Sequence, residues 1–141
     1  MLWATACLLA LAANVPPAAV VMVDKPVTVA VEVPVKVRHS EVVFLRLLGV
    51  VMRRNGPAVW NIFWEMPEAT AQTSVDDVHF AGYVASPANS VAHDPKPANF
   101  TLQLPAAAVL TAHRLAALRL TFVPVRKLPE GGVTITSLRL E

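Results

Sequence analysis

Val27, Val29, Val31, Val33, Val35 and Val37 recur at every second position, with Thr28, Ala30, Glu32, Pro34, Lys36 and Arg38 between them. A period of two puts all six valines on one face of an extended chain, and a helix would scatter them around its axis. The segment therefore reads as a strand with one buried side. Pro34 has no amide hydrogen to give to a ladder, so this strand lies at a sheet edge or breaks there.

The rest of the chain is punctuated in the same manner. Twelve prolines among 141 residues argue against long helices and for short elements joined by rigid turns. Val42 to Met52 reads as a strand from its β-branched ends and the Arg53-Arg-Asn-Gly-Pro57 turn that follows. Val59 to Met66 sets Trp60, Ile62, Trp64 and Met66 against Val59, Asn61, Phe63 and Glu65. Both faces are largely apolar, which suits a central strand or one whose outer side meets a partner. Pro67 to Asp77 is polar and reads as a loop. Further strands are expected over Val78–Ala85, Phe100–Leu104, Leu118–Val125 and Val133–Glu141, with one short helix in the Ala-rich segment 106–117. In the last strand the apolar phase shifts between Ile135 and Leu138, which suggests a bulge near Ser137. About seven short strands and one optional helix make a compact antiparallel β-sandwich the simplest architecture, and the fold class is all-β.

Two segments stand outside that pattern. Met1 to Ala13 is a continuous apolar run, shorter than the roughly 20 residues that cross a bilayer as a helix. Its length suits the apolar region of a secretory signal or anchor, with Ala10-Leu-Ala12 as a cleavage motif, although no Lys or Arg precedes it. Segment 1–17 is thus set apart from a single β-domain over 22–141. The chain is secreted or periplasmic if residues 1–13 act as a signal, and membrane contact is expected only through that segment. The second is the Pro-rich stretch Ser86 to Ala98, long for a connection and a candidate functional loop.

Composition excludes several functions. The formal net charge is +2, only 16% of residues are charged, and the basic ones are scattered, so no nucleic-acid footprint is present. One cysteine, Cys7, permits no internal disulfide and no thiolate cluster. His39, His79, His93 and His113 lie in four distant segments. A coupled binuclear copper centre draws on about six imidazoles, so this chain alone does not build one. Ser74, Asp76, Asp77 and His79 are close in sequence but lack a nucleophile-elbow pattern. The expectation is a protein without enzymatic chemistry, metal or cofactor.

Four segments carry a resemblance. Met22-Val-Asp-Lys-Pro-Val-Thr-Val-Ala-Val31, Val59-Trp-Asn-Ile-Phe-Trp-Glu-Met-Pro67, His79-Phe-Ala-Gly-Tyr-Val84, and Leu118-Arg-Leu-Thr-Phe-Val-Pro-Val125 followed by Gly131-Gly-Val-Thr-Ile-Thr-Ser-Leu-Arg-Leu-Glu141 occur in this order. Together they resemble the C-terminal domain of polyphenol oxidases and tyrosinase-like type-3 copper oxidases over about 22–141; the copper-binding domain has no counterpart here. Trp60, Phe63 and Trp64 stand where the plant domain carries its Lys-Phe-Asp-Val signature. The resemblance implies a non-catalytic cover or accessory domain that packs against a copper-containing oxidase domain or subunit. The expected partner contacts are Trp60, Phe63, Trp64, Tyr83 and His93, with at least one aromatic of the Val59–Met66 strand pointing outward. The alternatives are a secreted β-sandwich binding module for carbohydrate or protein, and a truncated oxidase gene remnant.

Overall fold

A computed structural model describes residues 20–22, 24–52, 58–86, 97–126, 128 and 132–141. In chain order the elements are β1 (Val20–Met22), β2 (Val27–Glu32), a 3-10 turn (Val37–His39), β3 (Phe44–Met52), β4 (Ala58–Trp64), β5 (Phe80–Ser86), β6 (Ala98–Gln103), helix α1 (Ala106–Ala112), β7 (Ala117–Pro124) and β8 (Val133–Leu140). They form two four-stranded antiparallel sheets, ordered β1-β8-β3-β6 and β2-β7-β4-β5, which we call sheets A and B. The architecture is the all-β sandwich with one short helix that the periodicity predicts. The eighth strand is β1, three residues long, which pairs Val20 with Ile135 and was not legible as a strand.

The valine alternation does what its period requires, up to Pro34. Val31 and Val33 are buried, Val27 and Val29 are half-buried, and β2 is an edge strand that ends at Glu32. Beyond it the chain turns, Val35 is exposed, and Val37 re-enters the core from the 3-10 turn. The missing amide of Pro34 is thus placed where no ladder bond is needed. Just upstream, Asp24 accepts the backbone N–H of Leu128 at 2.9 Å, tying the start of β2 to the β7–β8 connection.

Between the sheets lie Leu45, Leu47, Trp60, Ile62, Leu118, Leu120, Phe122, Ile135 and Leu140, all fully buried. Ala108, Val109 and Ala112 of α1 close one end of this core. The helix is tied down at its C-cap. His113 Nε2 lies 2.6 Å from the carbonyl oxygen of Ser40, so this nitrogen carries the proton and donates.

The bulge expected near Ser137 sits on a different strand. β8 keeps step with β3 throughout, from Leu45–Leu140 to Met52–Val133. The slip lies between β3 and β6, where Leu47 faces Phe100 but Val50 faces Ala98, so Leu48 and Gly49 together oppose Asn99. Gly49 adopts φ +63°, and its N–H donates to Asn99 Oδ1 at 3.0 Å. This left-handed residue turns β3 over, and β8 turns with it. Both strands therefore bury residues of one phase before the switch and of the other after it. The phase shift legible in β8 is the imprint of a bulge on its neighbour. The same bond engages only Oδ1 of Asn99, which begins an N-glycosylation triplet in the sequence.

A second slip lies between β4 and β5, where Ile62 faces Gly82 and Phe63 faces Phe80, leaving Ala81 as the extra residue. The extra residue breaks the simple two-residue alternation of a strand within β5. Val84 and Gly82 face inward, whereas Phe80 crosses to the outer side of sheet B. At Gly82 (φ +146°) a Cβ would lie 2.6 Å from Leu102 Cδ1 of sheet A, so the bare backbone lets the two sheets close at this edge.

Candidate functional site

The outer face of sheet B is where the notable side chains converge. The registers put Thr28, Ala30 and Glu32 of β2 on this face, with Arg119, Thr121 and Val123 of β7. They are joined by Val59, Asn61 and Phe63 of β4 and by Tyr83 and Ala85 of β5. Such a face normally meets water, yet Phe63, Thr121 and Val123 are each 0% exposed. What covers them is the chain itself.

Residues 65–79, polar in sequence and without regular secondary structure, fold back across sheet B as a strap. Ala69 is buried against Phe63 and Val123, and Met66 and Phe80 complete this small second core. The Phe63 and Phe80 rings meet edge to face, 5.6 Å between centroids.

Two polar devices hold the strap. At its start Glu65 is the one described non-glycine residue with positive φ, +48°, a conformation that costs energy in any residue with a Cβ and needs compensation. The compensation comes from Arg119. Glu65 N–H donates to the Arg119 carbonyl at 2.9 Å, and Glu65 Oε1 accepts the Arg119 backbone N–H at 2.7 Å. Glu65 Oε2 accepts from the guanidinium through Nε (3.0 Å) and Nη2 (2.8 Å). At the strap's end Asp77 Oδ1 accepts the His79 backbone N–H at 2.8 Å and lies 3.0 Å from His79 Nδ1. These contacts hold the Asp77 carboxyl below its ordinary value, the backbone hydrogen bond contributing most and the bond to the ring next. The His79 ring in turn lies tilted on Trp64, 4.8 Å between centroids, and the Trp64 indole N–H donates to Val78 O at 3.2 Å.

The expected contact residues are therefore divided. Trp60 and Trp64 point between the sheets, and Phe63 is the aromatic of this strand that points outward, but it lies buried under the strap and is not exposed. The physical reason is the strap: a segment read as a solvated loop supplies the apolar cover for Phe63. Tyr83 is 63% exposed on the half of the face that the strap leaves open. It stands beside half-buried Val59 and Asn61 and exposed Ala85 and Val125. The strap also carries Val75 and Val78 exposed, Val78 at 74%. His93 and the rest of 87–96 lie outside the described residues, as does segment 1–17. The pairing of Glu65 with Arg119 joins positions 54 residues apart and has no local signature in the sequence, whereas Asp77 and His79, two residues apart, are visible together there as a close pair.

No group of three or more His, Cys, Asp or Glu positioned to hold a metal ion occurs among the described residues. His39 is exposed at the end of the 3-10 turn, His113 is used by the helix cap, and His79 by Asp77 and Trp64.

No protein-family model and no curated protein sequence matches the chain. Solved structures do match in fold. A latent aurone synthase (polyphenol oxidase) from natural source superposes with a TM-score of 0.65 at 14% identity, over 89% of this chain and 25% of that one. Latent apple tyrosinase superposes with a TM-score of 0.61 at 18% identity, over 89% of this chain and 27% of that one. The chain has the fold of one portion of a polyphenol oxidase, and it spans about a quarter of the length of the structures it matches.

Proposed function

We propose that this chain is a non-catalytic cover or accessory domain that packs against the catalytic domain or subunit of a type-3 copper polyphenol oxidase. The observation that carries the reading is the fold, shared over 89% of the chain with part of enzymes described as latent. Four sequence segments in the family's order support it independently. In this reading the partner rests on the open half of the outer face of sheet B, with Tyr83 as the anchor. A large, semi-rigid aromatic with a polar tip suits the centre of an interface. Val59, Ala85 and Val125 supply the apolar surround, and the chain brings no copper of its own.

One observation favours this over a carbohydrate-binding module. Sugar platforms need aromatic rings side by side on an open face, and the three aromatics of β4 are buried here. Tyr83 alone among the described aromatics of this face is exposed.

The test is affinity purification of the tagged chain from its native host, with metal analysis and peptide sequencing of what it retains. A stoichiometric copper protein with histidine-rich helical segments is the expected result. A monomeric, copper-free chain retaining no such protein overturns the reading.

A further inference from the structure

The strap differs from the rest of the fold in how it is held. The strands are joined by continuous ladders over a large common core, whereas residues 65–79 rest on a small core of Phe63, Ala69, Val123, Met66 and Phe80. Their own hydrogen bonds are single-turn contacts: Ala69 N–H to Met66 O, Thr73 N–H to Thr70 O, Asp77 N–H to Ser74 O. Segments with few apolar contacts and many exposed backbone bonds open at lower free energy than the structure around them. None of the strap's residues belongs to either sheet. Lifting it therefore breaks only the two backbone bonds by which its ends extend the ladders, Trp64 N–H to His79 O and Glu65 N–H to Arg119 O.

We propose that residues 65–79 are a latched strap that opens as a unit while both sheets stay closed, with Glu65 and Arg119 forming the latch. The latch sits at the hinge. Glu65 leaves β4 in a left-handed conformation that relaxes once Arg119 releases it, so strain and ion pair are coupled at one residue. The far end, Asp77–His79 against Trp64, is the second point of release. Opening uncovers Phe63 and Val123. The registers join these to Asn61 and Tyr83, so the closed strap halves an outer face that is one continuous strip when open. The fold thus contains a switchable apolar surface. This inference rests on the strap's own contacts and holds or fails independently of the identity of any partner.

Native-state hydrogen exchange tests it on the whole chain. The amides of Glu65, Ala69, Thr73 and His79 and the Trp64 indole N–H are expected to exchange together, faster than Ile62 and Phe122 in the adjoining ladder. They should do so with little dependence on denaturant, because little surface is exposed. Arg119→Gln removes only the guanidinium bonds. For a partly exposed charge-assisted pair it should speed exchange of the strap by about tenfold and leave Ile62 and Phe122 unchanged. Arg119→Lys, which keeps the charge without the fork, should fall between. Strap amides that exchange in step with the ladder in the wild-type chain, at the same rate and denaturant slope, overturn the proposal. So does an Arg119→Gln variant that accelerates strap and ladder alike.

Discussion

Replacing Gly49 with alanine probes the switch that lets sheet A change its buried face. Two costs add. A Cβ at φ +63° meets the intrinsic penalty of the left-handed region, about 1–2 kcal/mol. The same Cβ would lie 2.5 Å from Thr136 Oγ1 and 2.8 Å from Thr136 Cβ, so Thr136 must move. In moving it gives up its hydrogen bond to the Gly49 carbonyl, now 3.1 Å, for about another 1 kcal/mol. Together these destabilise the fold by about 2–3 kcal/mol. In urea that lowers the unfolding midpoint by about 1–1.5 M if the slope is about 2 kcal/mol per M. Equilibrium unfolding followed by circular dichroism gives the number directly. Combining Gly49→Ala with Thr136→Ala separates the terms, because the hydroxyl clash disappears and the backbone cost stays; a coupling of about 1 kcal/mol is expected. A Gly49→Ala chain within about 0.5 kcal/mol of wild type would refute the reasoning, since the turn-over of β3 and β8 would then not need a left-handed residue.

Other substitutions read other parts of the structure. Gly82→Ala should destabilise through Leu102, and Leu102→Ala in the same chain should recover part of the loss, as read by thermal unfolding. Phe63→Ala empties the core under the strap; a cost of about 3 kcal/mol is expected in urea titration, as for other buried phenylalanines. Asp77 gives a pH signature. Its folded pKa is depressed, so its contribution is fully present above the unfolded value of about 3.9. The contribution shrinks as pH falls through the folded value, where the carboxylate bound to His79 finally protonates. Asp77→Asn should therefore lower stability at neutral pH and flatten its decline below about pH 4, in parallel urea titrations. Tyr83→Ser should leave the stability of the isolated chain within about 0.5 kcal/mol of wild type, because the ring is largely in solvent.

What sequence reasoning could and could not reach follows from the range of each signal. The period-two valines, the break at Pro34 and the apolar–polar phase of β7 and β8 are local, and the strands appear within a few residues of where those patterns put them. Gly49 shows the limit of a local signal. Its effect on β8 is visible as a phase change, but the cause lies on another strand and emerges only from the register. Residues 65–79 show the limit for function. Polar composition correctly marks them as irregular, yet Ala69 and Met66 give no hint that they roof Phe63 and Val123. Knowing that both faces of β4 are apolar is therefore not enough to say whether the outer one meets solvent, the chain itself or a partner. For Tyr83 the same face is open, because the strap stops short of it.

The most direct test of the proposed role is reconstitution with the catalytic domain of the copper oxidase recovered from the native host. The purified chain is added in increasing amounts while oxidation of a phenol is followed. The account predicts saturable suppression of activity, weakened in Tyr83→Ser at unchanged chain stability. Full activity at saturating chain, or equal suppression by wild type and Tyr83→Ser, would contradict it: the first denies the covering role, the second denies the face that carries it.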